Sequence, residues 1–145
     1  MYTFFKHLHS GLRWVLLIAL IWAIYDAYIQ WKKGGAMNKE SLRPSLMAFI
    51  VTHTQLVFGL IMYFITPRVN FTPGWMKDGI MRFFGMEHPL MMLIAIVLIT
   101  LGYIKGKKAT TGTGFKTIFW YYFIALVLIL ATIPWPWMKY ATGWI

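Results

Sequence analysis

The sequence predicts an all-α integral membrane fold, a four-transmembrane-helix up-down bundle with both termini outside. Three observations carry that expectation. Four apolar stretches each come close to the roughly 20 residues, at about 1.5 Å of rise per residue, that a helix needs to cross hydrocarbon. Of the 145 residues, 59% are hydrophobic and only 12% are charged, which is unlike a soluble domain. The basic residues collect at the ends of the apolar stretches, where they anchor helices among headgroups.

The first span is expected over residues 9–31. Its apolar run from Trp14 to Trp31 is broken only by Asp26, and Gly34-Gly35 stops it. The segment Tyr28-Ile29-Gln30-Trp31 offers no small-residue cleavage site, so the span reads as retained rather than as a removed leader. The second, over 44–66, opens with Pro44 in its first turn, where a missing N–H does no harm, and closes at Thr66-Pro67. It carries no formal charge but does carry His53. The third, over 83–105, is uncharged from His88 to Ile104 and is lengthened by Phe83, Phe84 and Met86. The fourth, over 116–135, follows a flexible connector at Thr110–Gly114 and stops at Ile133-Pro134-Trp135-Pro136-Trp137. Connections this short favour antiparallel neighbours, and residues 1–145 read as a single domain.

Charge sets the expected orientation. The connections after the first and third spans hold Lys32, Lys33, Lys39, Arg43, Lys105, Lys107, Lys108 and Lys116, packed into two short loops. Lys6, Arg13, Arg68, Lys77, Arg82 and Lys139 are spread over three segments on the other side. The positive-inside rule then puts both termini outside. Trp31, Trp75, Trp135, Trp137 and Trp144 fall where interfacial aromatic belts are expected. A net charge of +10 placed this way points to anionic lipid and away from nucleic acid. With no cysteine, the chain has no disulfide, thiolate-held cluster or thioether-linked haem.

Ionisable groups within apolar spans are costly and mark candidate sites. His9 opens the first span and His88 the third, and both spans run in the same direction. His9 lies about 33 Å along the helix from Trp31, and His88 roughly 7 to 8 Å below Phe83. The two can share a depth, which suits the two axial positions of a b-type haem held between helices. Arg13 follows His9 by four residues on the same face and, with Arg82 or Lys77, is a candidate partner for haem propionates. Ala95 and Gly102, below His88, leave room for a flat ring. His53 sits deeper, and serves either as a hydrogen-bonding residue or as a substitute ligand. Shifting the chain by 79 positions lays His9 on His88 but His53 on Thr132, so a second bis-histidine site is not expected. His7 projects from another face and is expected in solvent.

Plainer roles stand beside these. His9 can be an interfacial residue; His88, preceding Pro89, can be a helix N-cap with Glu87 beside it. His53 can bond a carbonyl or Gln55. Asp26 is expected to pair with Lys32, Lys33 or a basic residue of the third loop. Met91 and Met92 read as packing residues before they read as ligands.

The segments His7-Leu8-His9-Ser10-Gly11-Leu12-Arg13-Trp14, Thr52-His53-Thr54-Gln55 and Arg82-Phe83-Phe84-Gly85-Met86-Glu87-His88, with the Ile133-Pro134-Trp135-Pro136 ending, resemble those of small four-span bacterial membrane proteins labelled cytochrome b-like. The likeness covers essentially the whole chain. More loosely, the layout is similar to one half of the four-helix haem bundles of cytochrome b561 and haem A synthase types, from which it departs by having no histidine on the fourth span. The resemblance implies a multi-pass protein of the bacterial cytoplasmic membrane. The expectation is that it binds haem b through His9 and His88 and takes part in one-electron transfer within a larger complex, beside a quinone or other membrane subunits, or as a homo-oligomer. A stand-alone catalytic cycle is not expected. The alternatives are a cofactor-free structural or assembly subunit, and a metal site built from His9, His53, Glu87 and His88.

Overall fold

A computed structural model describes residues 1–140 and is all-helical, with no strand among them; Trp144 lies outside the described residues. Four helices are long and apolar enough to cross a membrane: α1 (Tyr2–Lys33), α2 (Arg43–Ile65), α3 (Gly79–Lys108) and α4 (Thr113–Thr132).

The ends of these helices follow from local chemistry. α1 begins seven residues before the expected span start at residue 9, because nothing between Tyr2 and Leu8 breaks a helix, so His9 lies inside it rather than at its start. Its other end is a Schellman turn: Gly34 takes the left-handed conformation at φ 64°, and the Gly35 N–H donates to the Gln30 carbonyl over 2.8 Å. α3 also starts early, because the Asp78 carboxylate caps it by accepting from the N–H groups of Ile80 and Met81, both at 2.9 Å. α4 begins at Thr113 and ends at Thr132, since Pro134 forces Ile133 into extended geometry at ψ 130°.

α3 is not regular. Phe83–Glu87 forms a π-turn, after which the α-helix continues from His88. His88 has helical dihedrals of −62° and −51°, so the N-cap role expected from Pro89 is not found. The wider turn absorbs the proline instead of ending the helix. Pro89 offers no N–H to the carbonyl four residues back, that of Gly85, and the Tyr63 hydroxyl of α2 donates to it over 3.0 Å. The same device recurs at Pro134, where Trp135 Nε1 donates to the Leu130 carbonyl over 2.9 Å.

Contacts between helices give the topology. Gly59 of α2 faces His9 of α1, Gly102 of α3 faces Tyr121 of α4, and Trp14 of α1 faces Trp135 while Tyr28 faces Phe119. Each neighbouring pair is therefore antiparallel, and α1 runs parallel to α3 from diagonal positions. Gly112 meets Gly34 at the end where the first and third connections meet, opposite the N-terminus. The core runs along α1 and α4, through Leu20, Ala23, Ala27, Ile118, Tyr122 and Ala125, all 0% exposed. Small residues bring the backbones close, as at Gly106, where an added Cβ would lie 3.0 Å from the Gly114 carbonyl. α2 buries least, and its contact with α3 is the sparsest between neighbours.

Candidate functional site

The gap between α2 and α3 holds a cavity of about 400 Å³, backed by α1 and α4 near the end that carries the N-terminus. Two hydrogen-bonded contacts tie α2 to α3 beside it: Tyr63 to Gly85 nearer the N-terminal end, and His53 with Thr100 deeper in the bundle.

His9 and His88 both line this cavity, from diagonal helices. His88 is the more firmly placed. Its Nδ1 lies 2.9 Å from the carbonyl oxygen of Thr132, at the end of α4 where helix carbonyls have no intrahelical partner. A carbonyl only accepts, so Nδ1 carries the proton, and the neutral ring keeps its lone pair on Nε2. Nε2 has no hydrogen bond among the described residues. The His9 ring rests on Gly59, where an added Cβ would be 3.2 Å from Cε1. Gln55 Nε2 donates to the His9 backbone carbonyl over 2.9 Å and lies 3.5 Å from His9 Nε2, the long limit of a hydrogen bond. An amide N–H can only donate, so that contact also leaves the lone pair on Nε2. His9 Nδ1 and Gln55 Oε1 are buried without hydrogen-bond partners among the described residues.

His53 stands apart. Its Nδ1 donates to the Phe49 carbonyl of its own helix over 2.7 Å, and its Nε2 lies 3.1 Å from the Thr100 hydroxyl of α3. Both ring nitrogens are engaged, the ring lies tilted against Phe49 with centroids 4.1 Å apart, and the residue is not part of the cavity wall. It ties α2 to α3.

The cations divide similarly. Arg13 lines the cavity and is 7% exposed, with its guanidinium 5.3 Å from the Trp14 ring. Arg82 does not line it: Nε donates to Glu87 over 2.7 Å and Nη1 to the Met76 carbonyl over 3.2 Å. Glu87 is held in that pair rather than at the start of a helix. Lys6 and Arg68 reach the cavity instead, Arg68 with its guanidinium 5.0 Å from the Phe84 ring. Residue types alone do not mark Gly59, Gln55, Tyr63 or Arg68 as parts of one site. Tyr63 has a signal in the sequence, since Pro89 leaves a carbonyl in need of a donor.

Other expectations resolve locally. His7 is exposed. Asp26 faces Gln30 rather than a lysine, and the two border a polar pocket with Asn38, Glu40 and Ser41 at the opposite end of the bundle. Among the described residues, no three side chains of His, Asp or Glu gather closely enough to hold a metal ion. The convergence of His9, His53, Glu87 and His88 on one ion therefore has no counterpart in the fold.

Comparison of the chain with models of known families, with curated proteins and with solved structures finds no match. The site's chemistry stands on its own residues. Two imidazoles on one apolar cavity, a glycine that admits one of the rings, and cations on the same wall are the side chains that a haem with acidic substituents would need.

Proposed function

We propose that this chain is a multi-pass protein of the bacterial cytoplasmic membrane, with both termini outside, that binds one haem b through His9 and His88. It takes part in one-electron transfer as a subunit of a larger membrane assembly, with a quinone or a neighbouring subunit as its exchange partner. The observation that carries this reading is that two histidines on diagonal helices line one cavity, while the other two histidines of the chain do not.

The chain's own residues would act as follows. Thr132 orients His88 by accepting its Nδ1 proton, which keeps Nε2 available and strengthens it as a ligand. Gln55 releases His9 Nε2 while remaining on the His9 carbonyl. Arg13 and Arg68 hold acidic groups at the cavity wall. The apolar lining excludes water. Bound there, haem supplies a single-electron couple whose potential depends on burial and axial ligation.

The test is composition. The purified full chain should yield about one haem per chain by pyridine haemochrome assay, with iron and no copper or zinc by elemental analysis. A preparation expressed with ample haem that contains neither haem nor iron refutes the reading.

A further inference from the structure

The cavity wall is uneven in charge. Lys6, Arg13 and Arg68 stand on it, and no aspartate or glutamate does. All four acids of the chain lie elsewhere: Glu87 pairs with Arg82, Asp78 caps α3, and Asp26 and Glu40 border the pocket at the far end. An acidic group brought into apolar surroundings needs such cations, because an unpaired buried charge is very costly.

The cavity also reaches the side of the bundle. Leu60 and Phe64 of α2 and Leu93 of α3 belong both to its wall and to the outer surface, at 47%, 80% and 45% exposure. They mark the seam between the two helices with the sparsest contact. From Tyr63 to His53, the two α2 residues hydrogen-bonded to α3, the helix rises roughly 15 Å. On the membrane reading that opening faces hydrocarbon rather than water.

We propose that the cavity is a side-loading site for an acidic amphiphile dissolved in the bilayer. Its apolar body enters between α2 and α3 past Leu60, Phe64 and Leu93, and its acidic group stops against Lys6, Arg13 and Arg68. Side loading needs the chain to lie in a membrane but does not need histidine ligation. Haem, with its propionates, is one compound of this chemistry; an acyl lipid with a carboxylate or phosphate head is the other source.

The test titrates the full chain, in nonionic detergent, with dansyl-labelled undecanoic acid and with the methyl ester of the same probe. The acid should bind saturably and the ester about tenfold more weakly, the scale of one charge-assisted hydrogen bond. Arg68→Gln should weaken the acid by about tenfold and leave the ester unchanged, while Arg68→Lys retains most of the affinity. Because the chain has no cysteine, a Leu60→Cys, Leu93→Cys double variant can be bridged across the seam alone by a bifunctional maleimide. Bridging should slow probe entry by at least about tenfold relative to the same double variant carrying a monofunctional maleimide on each cysteine. Equal binding of acid and ester, or unchanged entry after bridging, overturns side loading. Displacement of the probe by haemin assigns the site to haem. Displacement by oleate or phosphatidylglycerol but not by haemin assigns it to an acyl lipid, which keeps side loading and removes the haem reading.

Discussion

His88 Nδ1 meets the carbonyl oxygen of Thr132 at 2.9 Å, so the side chain that closes the open end of α4 also turns its other nitrogen over to the cavity. One hydrogen bond thus serves both packing and ligand geometry, and it ties the fate of the site to the end of the fourth helix.

Removing either cavity histidine should separate ligation from packing. His9→Ala and His88→Ala are each expected to abolish haem retention, measured as haem per mole of purified chain. His53→Ala should retain haem and lower stability by about 1 kcal/mol for each hydrogen bond lost. Loss of haem in His53→Ala with retention in His88→Ala would transfer the ligand role to the second helix.

The proline-linked carbonyls give a stability test that needs no cofactor. Tyr63→Phe leaves the Gly85 carbonyl without its donor, and Trp135→Phe does the same to Leu130. Each should cost about 1 to 3 kcal/mol, read as a lower thermal midpoint in detergent. The two sites share no partner, so the double variant should be close to additive.

Close packing of α3 on α4 predicts intolerance to a single methyl group. A Cβ at Gly102 would fall 2.5 Å from Cβ of Tyr121, and one at Gly106 would lie 2.8 Å from Ile118 Cδ1 and 3.0 Å from the Gly114 carbonyl. Gly102→Ala and Gly106→Ala should each destabilise by about 1 to 3 kcal/mol. Gly11→Ala, with nothing within 4 Å, should not.

Gly59→Val and Arg82→Gln should behave oppositely. The valine presses on the His9 ring and should reduce haem content while leaving the helical far-ultraviolet spectrum intact. The Arg82–Glu87 pair is 35% and 38% exposed and lies off the cavity, so Arg82→Gln should leave both the thermal midpoint and the haem content close to the parent's.

Helix number, lengths and punctuation are legible in the residues because apolar run length and the Pro and Gly positions control them directly. The rotation of each helix is less legible. When a span is apolar all round, periodicity no longer says which face turns inward. That is why Arg68, beyond the end of α2, reads as one of several flanking cations, and why Gly59 and Gln55 carry no mark that sets them against His9. Arg82 reads as a cavity cation from its place near His88, but the π-turn and Glu87 draw it away. The earlier start of α3 has a local cause in Asp78, whose capping role the apolar pattern does not register.

The most direct test of His9 and His88 as the two ligands of one haem is the dithionite-reduced minus oxidised optical spectrum of the purified chain, recorded beside His9→Ala and His88→Ala. Sharp α and β bands in the parent that vanish in both variants are the predicted result. A parent spectrum without them, or one unchanged when both histidines are replaced, would contradict it.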